Sequence, residues 1–185
     1  MPGIKKDGFT LLELVVVLVI IGLMSALVVP RLTGPLSNLD LKTAAKNISA
    51  SLRYARSRAA TEKIVYAALV DFDNNRLVIA DTPLVMTDFL ANDQEKIQKL
   101  LVSRLAGEQD RPGGIKTYQP PDGVRFEKGR SRDRTVSTGF FPVYFFPTGA
   151  SSGGEITVAN QRGRQYSLTI DFVTGLVRLS KVMVS

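Results

Sequence analysis

Residues 5–24 read KKDGFTLLELVVVLVIIGLM, and they open an apolar run that continues to Val29. The run from Phe9 to Val29 is about 21 residues long. An α-helix needs roughly 20 apolar residues to cross a hydrocarbon core that is about 30 Å thick. Residues 9–30 are therefore predicted to form a transmembrane helix.

The residues that flank this run predict its orientation. Lys5 and Lys6 precede it, and no comparable basic cluster follows it, although Arg31 weakens the asymmetry a little. By the positive-inside rule the amino terminus is cytoplasmic, and everything after Pro30 lies outside the membrane. A cleaved secretory signal would have a shorter apolar region and a small-x-small cleavage site, so we expect a retained single-pass anchor.

Glu13 is the unusual member of the run, because it places a carboxylate among apolar side chains. An acidic group inside a membrane is costly and is by default a sign of function. Glu13 is therefore expected to have a partner.

The sequence GFTLLELVVVLVIIGLM, after a short basic leader and before Pro30, resembles the class III signal of type IV pilins and type II secretion pseudopilins. The resemblance implies that residues 1–8 are a cytoplasmic leader, that a prepilin peptidase cuts between Gly8 and Phe9, and that Phe9 is then N-methylated. Cleavage creates a positively charged amine at Phe9, and burying an unpaired charge is costly. We therefore expect Glu13 of one subunit to pair with the Phe9 amine of a neighbour during assembly.

The composition excludes most catalytic chemistry. The 185 residues contain no Cys and no His, so thiol nucleophiles, the Ser-His-Asp triad and imidazole metal ligands are absent. We expect no enzymatic activity, no cofactor and no metal. Asp71, Asp73 and Asn75 resemble the start of a calcium loop, but Arg76 replaces its Gly and Thr82 replaces its final Glu.

Residues 31–63 are predicted to form an amphipathic helix. One apolar stripe recurs at alternating spacings of three and four residues: Leu41, Ala45, Ile48, Leu52, Ala55 and Ala59. Basic residues occupy the other faces, which we expect to be solvated: Lys42, Lys46, Arg53, Arg56 and Arg58. Pro30 and the sequence Thr33-Gly34-Pro35 are expected to interrupt or kink the helix, because proline lacks a backbone donor.

Residues 64–185 are predicted to be a β-rich periplasmic domain. Two extended segments flank Asp73-Asn74-Asn75 and indicate a hairpin, and the last third alternates short strands with turns. Residues 82–121 are expected to be an insertion containing a short helix that starts near Asn92 and ends before Gly107. A packed surface element and a projection towards a partner are both compatible with it.

FFPTGASSGGEITVAN at residues 145–160, followed by DFVTGLVRLS at residues 171–180, is similar to the carboxyl-terminal signature of the GspH/FimT pseudopilin class. Gly149, Gly154 and Gly175 of that signature are expected to serve turns. The resemblance implies an α+β, type IV pilin-like fold, with a long amino-terminal helix packed on antiparallel β-sheets.

The function implied is that of a minor pseudopilin, a structural subunit of the type II secretion pseudopilus that helps to export folded proteins across the outer membrane. The expected partners are other pseudopilins, prepilin peptidase, the inner membrane and further secretion components. A membrane-anchored protein unrelated to filaments would require the spacing of Gly8, Phe9 and Glu13 to be chance.

A second alternative is a FimT-like type IV minor pilin that binds DNA during uptake. Lys5 and Lys6 are balanced by Asp7 and Glu13, so the whole net charge of +7 lies beyond the apolar run. The candidate DNA-binding residues are placed on one predicted loop, with two more arginines on another: Lys128, Arg130, Arg132 and Arg134, then Arg162 and Arg164. Such clusters can bind phosphates, but a solvated loop explains them as well, and nucleic acid is not an expected partner.

Overall fold

The computed structural model describes residues 9–81, 115–132 and 134–182, and for residues 25–36 it describes the backbone alone. The chain divides into two compact units, Met1–Ser37 and Asn38–Ser185. One helix and nine strands make up the described secondary structure: α1 Leu11–Glu62, β1 Tyr66–Asp71, β2 Arg76–Asp81, β3 Lys116–Tyr118, β4 Val124–Arg130, β5 Thr135–Val136, β6 Phe140–Phe145, β7 Gly154–Asn160, β8 Gln165–Ile170 and β9 Val177–Val182.

Both ends of α1 have local causes. Thr10 caps the first turn, because its hydroxyl oxygen accepts a hydrogen bond from the Glu13 amide at 3.2 Å. Lys63 follows the last helical residue with φ of 61°, a left-handed conformation that stops the helix. The helix is assigned through Pro30 and Pro35, so the predicted interruption is wrong. A proline removes one backbone donor, and here that loss does not end the run of helical turns.

The side chains of α1 from Leu11 to Met24 are exposed, and most of them are apolar. Within the described residues, no helix combines the length and the hydropathy that a membrane crossing requires. The predicted span at residues 9–30 includes residues 25–30, whose side chains lie outside the described part of the chain. The leader at residues 1–8 lies outside it as well.

In the second unit the predicted amphipathic stripe is confirmed. Its six side chains are 0–1% exposed: Leu41, Ala45, Ile48, Leu52, Ala55 and Ala59. The prediction of a solvated basic face is correct for Lys42, Lys46 and Arg53, which are exposed, whereas Arg56 and Arg58 are half-buried. The guanidinium groups of Arg53 and Arg56 also donate to backbone oxygens, those of Val177 at 3.2 Å and Gly149 at 3.3 Å. Each long side chain reaches past the helix edge to a carbonyl at a strand end or turn.

The strands form two antiparallel sheets, in the order β3-β2-β1-β6 and β5-β4-β7-β8-β9. The predicted hairpin is confirmed as β1 and β2, whose turn places Asn75 at φ of 48°. Buried Asp71 holds that turn, because its carboxylate accepts from the Asn74 amide at 3.1 Å and from Arg76 Nε at 2.9 Å. Both strands are buried along most of their length, so turn chemistry, rather than alternating burial, marks the register of this hairpin.

The insertion predicted for residues 82–121 contains a strand that the sequence did not predict. Lys116–Tyr118 forms β3 and pairs with β2, and β5 was missed in the same way. A strand of two or three residues is too short to show a period of two. The helix predicted between Asn92 and Gly107 falls in residues 82–114, outside the described part of the chain.

The core of the second unit lies between α1 and the two sheets. The apolar stripe of α1 joins side chains from both sheets in one buried cluster. A second cluster, with Ala67, Leu69, Val78 and Phe140, occupies the opposite face of the four-stranded sheet. The sheets are also joined by the Asn75 side chain, which donates to the Val124 carbonyl at 2.9 Å and accepts from the Phe126 amide at 3.0 Å.

Candidate functional site

The first candidate site is the amino-terminal part of α1. Phe9 is 85% exposed, and every described side chain from residue 9 to residue 24 is exposed, including Leu, Val and Ile on all faces of the helix. Contiguous apolar surface of this extent marks a membrane or protein contact. Gly8, the predicted residue before the cut, lies outside the described residues.

Glu13 lies in the first turn of α1, three residues after the capping residue Thr10. The sequence Thr10-Leu11-Leu12-Glu13 has the spacing of a capping box. An acidic group is also favoured near the positive end of a helix dipole. The position of Glu13 in the first turn indicates a local stabilising effect that sequence reasoning missed, and pairing with a neighbour stays a prediction that must be separated from it.

The second candidate site is the basic cluster, and the structure does not place it on one loop. Lys128 and Arg130 lie on β4, whereas Arg132 and Arg134 lie in the turn that leads to β5. A bulge between Phe126 and Lys128 lets β4 continue to Arg130. The single-loop prediction is therefore wrong, because a charged strand end was mistaken for a loop.

Two of these cations have partners within the fold. Arg130 forms a salt bridge with Glu155. A hydrogen bond from the Ser167 hydroxyl, followed by the charges of Arg130 and Lys128, lowers the pKa of the Glu155 carboxyl. Arg132 stacks over the ring of Phe172, with its guanidinium carbon 5.2 Å from the ring centroid. The charge of Arg130 is thus balanced within the domain, and Arg132 is held by an aromatic contact within it.

The turn with Arg132 and Arg134 and the turn with Arg162 and Arg164 lie at opposite ends of the five-stranded sheet. Arg130 faces Glu155 in the pairing of β4 with β7, whereas Val124 faces Asn160, which precedes the turn carrying Arg162 and Arg164. At about 3.3 Å per residue, these two ends are separated by roughly 20 Å. The cations therefore do not form one continuous stripe for a phosphate backbone.

We expect the full-length protein in detergent to bind duplex DNA weakly and without dependence on the cluster. At about 0.15 M salt a labelled duplex should show little retardation on a native gel, because few phosphates can be neutralised at once. The triple variant Arg130→Ala, Arg132→Ala, Arg134→Ala should behave like the unchanged protein. Tight binding at that salt concentration, lost in the triple variant, would establish the DNA-uptake alternative.

The third feature is a junction between the two signature turns and α1. Gly149 has φ of 87° and Gly175 has φ of 61°, so both use backbone conformations that favour glycine. A Cβ atom on Gly175 would lie 2.4 Å from the Gly149 carbonyl oxygen, and it would also meet the Arg56 side chain. Arg56 donates to that same carbonyl oxygen. Sequence reasoning placed these glycines in turns but missed Arg56, because the junction joins residues that are far apart in the chain.

Gly175→Ala is expected to destabilise the second unit more than Gly163→Ala does. Gly163 is a matched control, since its φ is 75° but nothing lies within 4 Å of a Cβ placed there. The control should lose about 1–2 kcal/mol from the left-handed backbone alone, and Gly175→Ala should lose about 1–3 kcal/mol more from the clash. Urea unfolding of the full chain in detergent, followed by tyrosine fluorescence, measures both. Equal losses would show that the close approach at Gly175 has no energetic role.

The described residues contain no group of three or more His, Cys, Asp or Glu side chains placed to hold a metal ion. Asp71, which begins the segment resembling a calcium loop, is instead bonded to Arg76 and Asn74. Its carboxylate stabilises the hairpin turn.

Comparison with known proteins identifies two matching families and several similar proteins. The prokaryotic N-terminal methylation motif matches residues 4–29, and the type II transport protein GspH family matches residues 44–174. Type II secretion system protein H of Xanthomonas campestris pv. campestris is 27% identical over 180 residues, which cover 96% of this chain and 86% of that protein. Type II secretion system core protein G of Escherichia coli K12 is 50% identical over 46 residues, covering 25% of this chain and 32% of that protein.

The fold is also that of a solved pseudopilin. A crystal structure of the minor pseudopilin EpsH from the type II secretion system of Vibrio cholerae superposes with a TM-score of 0.51 at 11% identity. The match covers 79% of this chain and 96% of that one. It confirms the predicted α+β, pilin-like fold. The family match covers well over half of the chain, so this chain belongs to the type II transport protein GspH family and is a minor pseudopilin of the type II secretion system.

Proposed function

We propose that the chain is inserted in the inner membrane as a precursor, cut by a prepilin peptidase between Gly8 and Phe9, methylated at Phe9 and then assembled into the pseudopilus. The observation that carries the proposal is the exposed apolar surface on every face of α1 from residue 9 to residue 24. Such a surface suits first lipid and then the helices of other subunits, since both remove apolar area from water.

The topology that we propose places residues 1–8 in the cytoplasm, residues 9–30 in the membrane and the β-rich domain in the periplasm. Lys5 and Lys6 support the cytoplasmic amino terminus. The domain contains no Cys, so it is held by packing and hydrogen bonds and gains nothing from the oxidising periplasm.

The partners that we propose are other pseudopilins, and the similarity of 46 residues of this chain to type II secretion system core protein G of Escherichia coli supports this. This chain would contact other secretion components as part of the assembled filament. The role of the chain would be mechanical, without a chemical step.

The absence of native cysteine allows a direct test of topology and assembly. Gln161→Cys, in an exposed turn, should react with a membrane-impermeant maleimide added to spheroplasts. A photo-crosslinking amino acid at exposed Val17 should form adducts with other pseudopilins in secreting cells. Protection of the introduced thiol until the membrane is dissolved, or Val17 adducts with proteins that are not pilin-like, would contradict the proposal.

A further inference from the structure

The turn between β8 and β9, residues 171–176, carries an exposed apolar surface that the fold does not need. Phe172 is 53% exposed, Val173 75% and Leu176 45%. Among the described residues after Ser37, the other exposed large apolar side chains lie apart from one another in the sequence: Leu39, Tyr54 and Ile64. Three such side chains in one six-residue turn form a patch of the kind that marks a binding site.

Hydrogen bonds hold this turn rigidly. Oδ1 of Asp171 accepts from the Thr174 amide at 2.8 Å and from the Thr174 hydroxyl at 2.7 Å. The Gly175 amide donates to the Asp171 carbonyl oxygen at 2.9 Å, and the Ser151 amide donates to the Phe172 carbonyl oxygen at 3.0 Å. These bonds order the backbone of the turn before binding, which lowers the backbone entropy lost on binding.

The surroundings of the turn are basic. Arg132 stacks on the Phe172 ring, and both line an open hollow of about 310 Å³ next to the turn. The carboxylate of Glu155, in the same hollow, is bonded to Arg130. No described carboxylate forms an ion pair with Arg132. Aromatic residues, Phe among them, and Arg are both enriched in protein–protein interfaces relative to the rest of the surface.

Strand pairing shows which end of the five-stranded sheet carries this turn. In the pairing of β7 with β8, Gly154 and Ile170 lie at the end next to this turn, whereas Ala159 and Gln165 lie at the other end. Asn160, at that other end, bonds to Asn38, where the chain enters the folded unit from the apolar segment. The turn thus lies at the end of the sheet away from that entry point.

We propose that the residue 171–176 turn docks into an apolar pocket, with a carboxylate at its rim for Arg132, on another pilin-like subunit of the pseudopilus. The inference rests on the proposed function, because it names the surface through which this subunit contacts a neighbour outside the helix bundle. Phe172, Val173 and Leu176 fill the pocket, and the rim carboxylate pairs with Arg132.

The test uses the full chain in secreting cells with a photo-crosslinking amino acid at Val173. The expected product is an adduct with a second pilin-like subunit, identified by mass spectrometry. Its yield should fall about tenfold with Arg132→Glu, the effect of losing roughly 1.4 kcal/mol of binding. Arg164→Glu is the matched charge control at the other end of the sheet, and Gln161 is the matched position for the crosslinker. Adducts with lipid alone, no adduct, or equal yields in the two charge variants would overturn the proposal.

A second measurement separates this proposal from the function on which it rests. The double variant Phe172→Ser, Leu176→Ser should be cut normally and keep its urea midpoint, yet secretion should fall about tenfold. If deletion of the whole chain stops secretion while the double variant secretes normally, the docking proposal alone fails. If deletion leaves secretion intact, the proposed function fails as well.

Discussion

Gly8→Trp is expected to leave a protein that still carries residues 1–8, and secretion that depends on this subunit should fall to background. A peptidase must bring the scissile backbone close to its catalytic groups, and glycine is the residue that permits such an approach. A large side chain at this position would obstruct the approach. Intact-mass measurement of the purified membrane protein distinguishes the precursor from the mature form that begins at Phe9.

Gly3→Trp is the matched control for this experiment, because it adds the same side chain to the leader away from the predicted cut. The control should be processed and should support secretion. Normal mature Phe9 in the Gly8→Trp variant would refute the predicted cleavage site.

Glu13→Leu is expected to be inserted and cut normally but to enter the pseudopilus about tenfold less than the unchanged protein. Cleavage creates a cationic amine at Phe9, and methylation of that amine leaves its charge in place. Burial of this cation in a helix bundle without a carboxylate costs several kcal/mol, more than the roughly 1.4 kcal/mol that a tenfold loss requires. The measurement is the amount of mature protein that co-purifies with the other pseudopilins.

Thr10→Ala separates charge pairing by Glu13 from the capping of the first turn of α1 by Thr10. It removes the hydrogen bond between the Thr10 hydroxyl and the Glu13 amide, at a cost of about 1 kcal/mol, but it keeps the carboxylate. Pairing between subunits predicts normal assembly for Thr10→Ala and failure for Glu13→Leu. Normal co-purification and secretion with Glu13→Leu would contradict the pairing, and equal failure of both variants would assign the effect to the helix cap.

Most of the fold was predictable because its signals are local. The stripe from Leu41 to Ala59 recurs with the period of a helix, and one face is enough to specify it. The hairpin of β1 and β2 was marked by Asp73, Asn74 and Asn75, whose residue types favour a tight turn. The later strands were marked by alternation between glycine-containing turns.

The features that could not be predicted depend on contacts between distant parts of the chain. Arg56 meets Gly149 and Gly175 only after helix and sheet have packed, and no spacing in the sequence reports that junction. The basic cluster was misplaced for a different reason, because the charged end of β4 was mistaken for a loop. Strand register sends Arg130 and Arg162 to opposite ends of the sheet, although both lie in charged segments that look alike in sequence.

The amino-terminal site was predictable in a different way. Gly8, Phe9 and Glu13 were proposed from a motif that a peptidase and a neighbouring subunit would recognise. Such a motif is a short local sequence, so it can be identified without knowledge of the fold. The Thr10 cap shows what the motif left out, since an acid in this position also stabilises the first turn of its own helix.

The location of type II secretion cargo in cells that lack this chain is the most direct measurement of whether the subunit is needed for export. We expect folded cargo to remain in the periplasm of the deletion strain and to return to the medium when the unchanged chain is supplied on a plasmid. Cargo that reaches the medium normally in the deletion strain would contradict the claim that this subunit is needed for the pseudopilus to export folded proteins.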